Sequence, residues 1–397
     1  MFFKKHSIGF RLLLLVTISL CLFVLYNQMS QRLITNQKTH KDEDGNARFQ
    51  FSNKNWPKET EECTPQRNIA FLKMHKCGSS TVQNILFRYG DQHNLDFVMP
   101  PIDNLFMKGA FFDKDHMIDF SLKKYNILCH HTRFSAAAFA EVLPSDAVYI
   151  TVLRDPVEMF ESGFTYHKLA TSVGLPEDGG LEMFLRMPRF YYKQVYHSGA
   201  FFKNPMLFDL GLKSIEQFYP KLIKKKISKL EKQFDLVMLT EYFDESLILL
   251  RHLLCLEIDD IVYFVLNARS ESSVKTISSD IAEKIREWNA GDVELYSVFN
   301  QTFWRRVEEF GMERMKAEVK ELRERNQYFI DQCIDKLIDD DSQVWHPPGI
   351  KINSIQLKDG ASRKCRQMAL SEIPYTDKLR YIQLKKYNIT LSGNGLT

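Results

Sequence analysis

Apolar residues fall into short solid runs of strand length that alternate with stretches of helical spacing. Ile69 to Leu72 is one solid run, after which Val82, Ile85 and Leu86 recur as on one face of a helix. Tyr125 to Cys129 predicts a second strand. Ala147 to Leu153 (AVYITVL) is apolar throughout and rich in β-branched residues, the pattern of a parallel strand buried on both faces. Asp155-Pro156 then opens a helix, with Asp as cap and Pro in the first turn. Phe234 to Leu239 predicts a further strand and Glu245 to Leu254 the helix behind it. Ile261 to Leu266 is another apolar run. Helical patterns fill Ile281 to Leu337, heavily charged between Glu313 and Arg325. Strands alternating with helices predict an α/β fold with a mainly parallel sheet flanked by helices. Ligands of such sheets sit beyond the carboxyl ends of the strands.

The N-terminus adds an organisational expectation. Lys4, Lys5, His6 and Arg11 precede a run from Leu12 to Tyr26 that contains no charged residue. Counted from Ile8 the stretch is 19 residues, enough to cross a bilayer if Arg11 snorkels. A cleaved signal peptide competes with this reading, yet Tyr26-Asn27-Gln28-Met29 offers no small-x-small cleavage site. The positive flank then gives a cytoplasmic tail over 1–11 and a transmembrane signal anchor over 12–28. A polar stem over 29–67 and a lumenal domain over 68–397 follow.

Composition narrows the picture. Lys+Arg 53 against Asp+Glu 50 gives no broad positive field, so no nucleic-acid partner is expected. The basic run Lys221 to Lys232 carries Leu222, Ile223, Ile227 and Leu230 at helical spacing and reads as a solvated helix face. Of seven cysteines, Cys21 lies in the apolar run. Cys63, Cys77, Cys129, Cys255, Cys333 and Cys365 can form up to three disulfides in an oxidising lumen. No CxxC pair exists, so no structural zinc is expected. Asn300-Gln301-Thr302 and Asn388-Ile389-Thr390 are candidate glycosylation sequons.

Candidate chemistry concentrates between the first strand and its helix, at Lys73, His75, Lys76, Cys77, Gly78, Ser79, Ser80 and Thr81. A strand, a tight turn and a helix N-terminus present free N–H groups and a positive dipole end to an anion. Gly78 permits close approach, the hydroxyls add donors, and Lys76 adds a full charge. The plainer reading is a strand–turn–helix corner with a Ser cap. A nucleoside triphosphatase loop is excluded, because Lys76 precedes Gly78 and no GxxxxGK is present. A second grip follows the AVYITVL strand. Arg154 can hold a phosphate bidentately, and Ser162 stands eight positions on. Its plain alternative is pairing with Asp155 or a helix C-terminus. Two anion grips suit a nucleotide with phosphates at both ends.

At these residues the chain resembles the Golgi carbohydrate sulfotransferases. LKMHKCGSST at 72–81 is similar to their 5′-phosphosulfate loop, and VLRDPVEMFESGF at 152–164 to their 3′-phosphate segment. The galactose 3-O-sulfotransferases are matched further by Cys129-His130-His131-Thr132-Arg133-Phe134, by EYFDESL at Glu241 to Leu247, and by Phe264 to Arg269. The similarity runs from Asn68 to about Cys365. It implies a P-loop-like sulfotransferase fold behind a membrane anchor, on a single-pass type II Golgi membrane protein. The implied reaction moves a sulfuryl group from 3′-phosphoadenosine 5′-phosphosulfate, without a metal, to the 3-hydroxyl of a terminal β-galactose. The acceptor would be a galactosylceramide-like glycolipid or a glycoprotein glycan.

Two positions depart from the family pattern: Cys77 where Thr is usual and His130 where Asn is usual. The base is expected at His131, which matches the family histidine, with His75 as second candidate and Glu241 behind them. Lys76 would neutralise charge on the bridging oxygen. Asn267, Arg269 and Ser270 are candidates for a lid over the 3′-phosphate, and Phe111, Phe112 and Phe134 for stacking on galactose. Competing readings are a sulfotransferase for another sugar, such as a glycosaminoglycan uronic acid, a non-catalytic lectin or scaffold, and a magnesium-dependent kinase.

Overall fold

Four short strands lie in parallel in the order β2-β1-β3-β4: β1 Ile69–Leu72, β2 Ile127–Leu128, β3 Val148–Leu153 and β4 Leu236–Leu239. The computed structural model describes residues 63–107, 109–195, 201–265, 276–338 and 354–390. The expected anchor over 12–28, and Arg269 with Asn267 and Ser270, lie outside them. Among the described residues no helix is long and apolar enough to cross a membrane. Every residue of the four strands is buried, which is why they read as solid apolar runs without alternation.

Helices cover the sheet and follow its strands: α1 Ser79–Gln92 after β1, α2 Ala136–Val142 after β2, and α3 Pro156–Tyr166 after β3. Asp155 caps α3 as expected, its side chain accepting from the N–H groups of Val157 and Glu158. Next come α4 Gly180–Arg186, α5 Pro188–Gln194, α6 Pro205–Asp209 and α7 Pro220–Gln233. After β4 the chain forms α8 Phe243–Leu254, α9 Ser279–Trp288, α10 Ala290–Phe310 and α11 Met312–Cys333. A second apolar cluster, separate from the sheet core, gathers Phe160, Phe164, Phe184, Tyr192, Phe202 and Trp288 beneath α3 to α5.

Two expectations are corrected. The strand over Tyr125–Cys129 pairs only at Ile127 and Leu128, because beyond them the chain leaves β1 and His131 bridges Leu105 instead. The helical pattern expected to Leu337 stops at Cys333. Ile334–Ile338 is β5, antiparallel to β6 Ser354–Leu357. The Cys333–Cys365 disulfide, between the end of α11 and α12 Arg363–Ala369, draws this stretch beside β6. Cysteine pairing gives two disulfides, this one and Cys63–Cys255, while Cys77 and Cys129 stay reduced and buried.

The C-terminal helix α13, Glu372–Lys386, returns to the sheet's β2 edge. Its Gln383 side chain pairs with both backbone groups of Phe97, each at 2.9 Å. From α1, Asn84 donates to the carbonyls of Gln367 and Leu370 at 2.9 and 3.1 Å. These contacts carry the start of α13 to the mouth of the β1–α1 loop.

Candidate active site

Residues 73–78 connect a fully buried strand to a helix that enters with no side-chain cap. Lys76 (φ 58°) and Gly78 (φ 68°) both adopt left-handed backbone, which turns the loop sharply. A side chain at Gly78 would be strained by that φ and would approach Thr240 and Phe243. Thr240, just after β4, places its hydroxyl 2.9 Å from the carbonyls of both Cys77 and Leu153, tying three strand ends together. The first N–H groups of α1 therefore face the rim of the sheet, where an anion would meet the dipole.

Arg154 stands on the same rim. Its Nη1 donates to the carbonyl of Lys76 at 3.3 Å, and Nη2 reaches Glu158 at 2.8 Å. The pairing partner is thus Glu158, one helical turn on, and not Asp155. Ser162 lies farther along α3 and is buried. Lys76 holds its ammonium 3.8 Å over the ring of Tyr166, at the end of α3. Burial, then Glu372, push the Tyr166 hydroxyl up to about 12, so the phenol stays neutral. Glu241 is bound in the framework: it accepts from the backbone N–H of Asp155 at 2.6 Å and from Tyr296 at 2.8 Å.

The other loop residues face inward. Lys73 is 1% exposed, and its ammonium meets Ser79 at 3.2 Å, Ser80 at 3.1 Å and Glu372 at 2.9 Å. Ser80 donates to Glu372 at 2.8 Å, Ser79 to the Met74 carbonyl at 2.5 Å, and Asn104 to the other Glu372 oxygen. Burial opposes charge on Glu372, but Lys73 outweighs it and holds the carboxylate below its ordinary range. The Cys77 thiol is buried against the His75 carbonyl at 3.3 Å, and burial raises its ionisation far above the usual thiol range. Only the backbone of Cys77 is left to meet a ligand. Thr81 is likewise buried.

On the opposite side of the loop, His75 and His131 stack with ring centroids 4.1 Å apart. Nδ1 of His75 lies 2.7 Å from Asp209 Oδ2, at the end of α6. α6 is itself held by buried Asp292, which accepts from the N–H groups of Met206 and Leu207 at 3.0 and 2.9 Å. Burial pushes that carboxyl up to about 7 despite those two bonds. His131 places Nδ1 3.2 Å from the Lys73 carbonyl, an acceptor only, so Nδ1 carries the proton and Nε2 the lone pair. Burial, then the neighbouring His75 and Lys73, hold His131 well below the usual imidazole range. His130 points the other way, fully buried near Thr376.

Both stacked histidines line a cleft of about 510 Å³ with Asn104, Tyr166, Asp209 and Glu372. Phe201 and Phe208 supply its aromatic walls. The rings anticipated for sugar stacking do not: Phe112 and Phe134 are buried in the core, and Phe111 lies 4.1 Å from the Arg133 guanidinium. Asp209, Glu372, Tyr166 and Asn104 escaped sequence reasoning because each reaches the loop from a distant segment without a motif of its own. Of the sequons, Asn388 is exposed beyond α13 and Asn300 is half-buried within α10.

Similarity to known proteins accords with this geometry. Human galactosylceramide sulfotransferase is 40% identical over 331 residues, covering 79% of this chain and 78% of that protein. The mouse enzyme of the same name is 39% identical over 334 residues, covering 80% and 79%. Galactose-3-O-sulfotransferase 3 of mouse is 35% identical over 333 residues, covering 78% and 77%. The galactose-3-O-sulfotransferase family profile matches residues 3–383, and the chain belongs to that family.

Proposed function

We propose that this chain transfers a sulfuryl group from 3′-phosphoadenosine 5′-phosphosulfate to the 3-hydroxyl of a terminal β-galactose. The observation that carries the reading is one loop with two working sides. Its Lys76 carbonyl meets Arg154 on one side, and its His75 meets Asp209 on the other, inside an open cleft. The acceptor oxygen attacks sulfur, the sulfur–oxygen bond to the phosphate breaks, and the electron pair leaves with the phosphate. Lys76 and the α1 N–H groups neutralise the charge that builds on the bridging oxygen. Arg154 and Ser162 grip the 3′-phosphate. Ser79 and Ser80 shape the loop through Lys73, which acts from below.

Sequence alone ranks His131 first as the base; the geometry favours His75. With Nδ1 donating to Asp209, Nε2 of His75 presents its lone pair and takes the proton of the 3-hydroxyl, while Asp209 stabilises the imidazolium. His131, kept neutral beneath it, orients the ring by stacking. Arg133, the guanidinium among the cleft's described lining residues, is committed to the carbonyls of Phe208, Gly109 and Leu212, so it offers an anionic uronic acid no ready counter-charge, which suits a neutral galactose. The catalytic unit sits on the lumenal side of a Golgi membrane behind a type II anchor, and turnover requires no metal. Incubation with labelled donor and galactosylceramide, lactosylceramide and N-acetyllactosamine, with and without a chelator, tests the reading. Chelator-resistant label on the galactose 3-position is the expected result. Label only on uronic acid acceptors, or none, rejects it.

A further inference from the structure

α3 takes hold of Lys76 from both ends. Just before its first turn, Nη1 of Arg154 donates to the Lys76 carbonyl at 3.3 Å. At its last residue, the Tyr166 ring lies under the Lys76 ammonium, 3.8 Å from nitrogen to centroid. The Lys76 backbone between these contacts is left-handed, at φ 58°. Backbone and head are thus fixed separately, and a flexible lysine stem is held at both of its ends. Glu158, Ser162 and Tyr166 recur one helical turn apart, which places them along one side of α3. Glu158 in turn steadies Arg154 at 2.8 Å.

The ring is itself braced. Tyr166 meets the His167 ring edge-on at 5.2 Å, and His167 stacks on Phe201 at 4.2 Å with planes 7° apart. Phe201 then meets the His75 ring at 4.6 Å. One aromatic wall therefore touches the Lys76 ammonium at one end and His75 at the other. Tyr166, His167, Phe201 and His75 all line the cleft. A ring face attracts an ammonium through its quadrupole and leaves the charge intact, whereas a carboxylate in the same place would cancel much of it. The phenol stays neutral, so the ring brings no negative charge of its own.

We propose that Tyr166 is a positioning residue for Lys76: its ring holds the ammonium at the cleft, in register with His75, before the bridging oxygen of the donor arrives. The inference rests on the reading of the cleft as a sulfuryl-transfer site and deepens it. The work falls to the aromatic face and not to the phenol hydroxyl. A charge already in place stabilises the developing oxyanion without reorganisation at the moment of transfer. Plain packing, by contrast, depends on the shape of the side chain and is indifferent to the electron density of its ring.

The test replaces Tyr166 in the full chain by Phe, by a trifluorinated phenylalanine introduced through amber suppression, and by Leu. Fluorine drains electron density from the ring face at nearly constant shape. Transfer of label from the donor to a soluble galactoside gives kcat and donor KM, and thermal melting reports on folding. Tyr166→Phe should keep kcat within about two-fold, because the ring face is retained. The trifluorinated ring and Tyr166→Leu should each lower kcat about ten-fold, the scale of one cation–ring contact. Melting of the trifluorinated chain should match that of Tyr166→Phe. In a Lys76→Ala background the same replacements should cost nothing further. Turnover indifferent to fluorination overturns the proposal. So does a loss in Tyr166→Phe equal to that in Tyr166→Leu, or a full further loss in the Lys76→Ala background. An unaltered chain that transfers no label to any galactoside rejects the reading of the cleft and the proposal with it, whereas the other failures arise only in a chain that is active.

Discussion

Asp209 Oδ2 lies 2.7 Å from Nδ1 of His75 and 3.2 Å from the backbone N of the same residue, so one carboxylate fixes both ring and loop. Asp209→Asn keeps the size but can present an N–H to the ring and favour the wrong tautomer. It should lower kcat by about 10²–10⁴ while donor KM moves little. His75→Ala should match that loss, and His131→Ala should cost less. Steady-state kinetics on the three variants checks the order; a larger loss at His131 returns the base to that residue.

Lys76→Ala removes the charge nearest the turn but no core packing, since its head rests on the Tyr166 ring. Turnover should fall by about 10²–10³, the scale of one preorganised donor. The melting temperature should hold. Near-normal turnover in a folded variant rejects the role given to Lys76.

Arg154→Ala takes away a guanidinium that now spans the Lys76 carbonyl and Glu158. A charged hydrogen bond of about 1.5–3 kcal/mol corresponds to a donor KM raised by roughly 10- to 100-fold. An unchanged donor KM with a lowered kcat would mean that Arg154 shapes the loop and does not hold the nucleotide.

How much of this was legible in the chain depends on range. Local signals were faithful. The AVYITVL run became β3, Asp155-Pro156 opened α3, and the β1–α1 turn sits on the rim it was expected to share with Arg154. Contacts that join distant segments left no trace. Glu372 is 292 positions from the Ser80 it accepts from, and Asp209 is 134 from His75. The β5 strand was hidden for a related reason: its apolar Ile334, Leu337 and Ile338 fall at helical spacing around charged Asp335 and Lys336, and only the partner strand after the Cys333–Cys365 crosslink decides the matter.

His130, fully buried near Thr376, gives an acid-stability prediction. Burial first, then the charges of Arg380 and Lys73, hold its ring down to about 3 from the ordinary 6.5. Between those values the unfolded chain binds a proton that the folded chain refuses. The contribution is therefore complete above pH 6.5 and drains away as pH falls toward 3. By pH 5 the loss from this ring is about 2 kcal/mol. His130→Asn should show a drop in melting temperature between pH 7 and 5 that is several degrees smaller than that of the unaltered chain. Equal drops would mean that the ring is not the acid-sensitive element.

The Lys73–Glu372 pair carries the strongest demand on the C-terminal helix. Lys73 cannot reach water, so its charge relies on Glu372, brought to the loop by α13 and by the crosslink that anchors α12. Glu372→Gln retains the size and an oxygen that can accept from Asn104, but strands a buried ammonium, at about 3–5 kcal/mol. Lys73→Met should cost about as much alone, yet the double variant Lys73→Met, Glu372→Gln should recover a large part of the loss, because no unpaired charge is left. Chemical denaturation of the three variants measures this coupling. Donor affinity measured alongside should weaken in Glu372→Gln, since Ser80 and Lys73 lose the acceptor that fixes them under the anion-binding turn. Additive stability losses in the double variant would show that the two groups do not depend on each other.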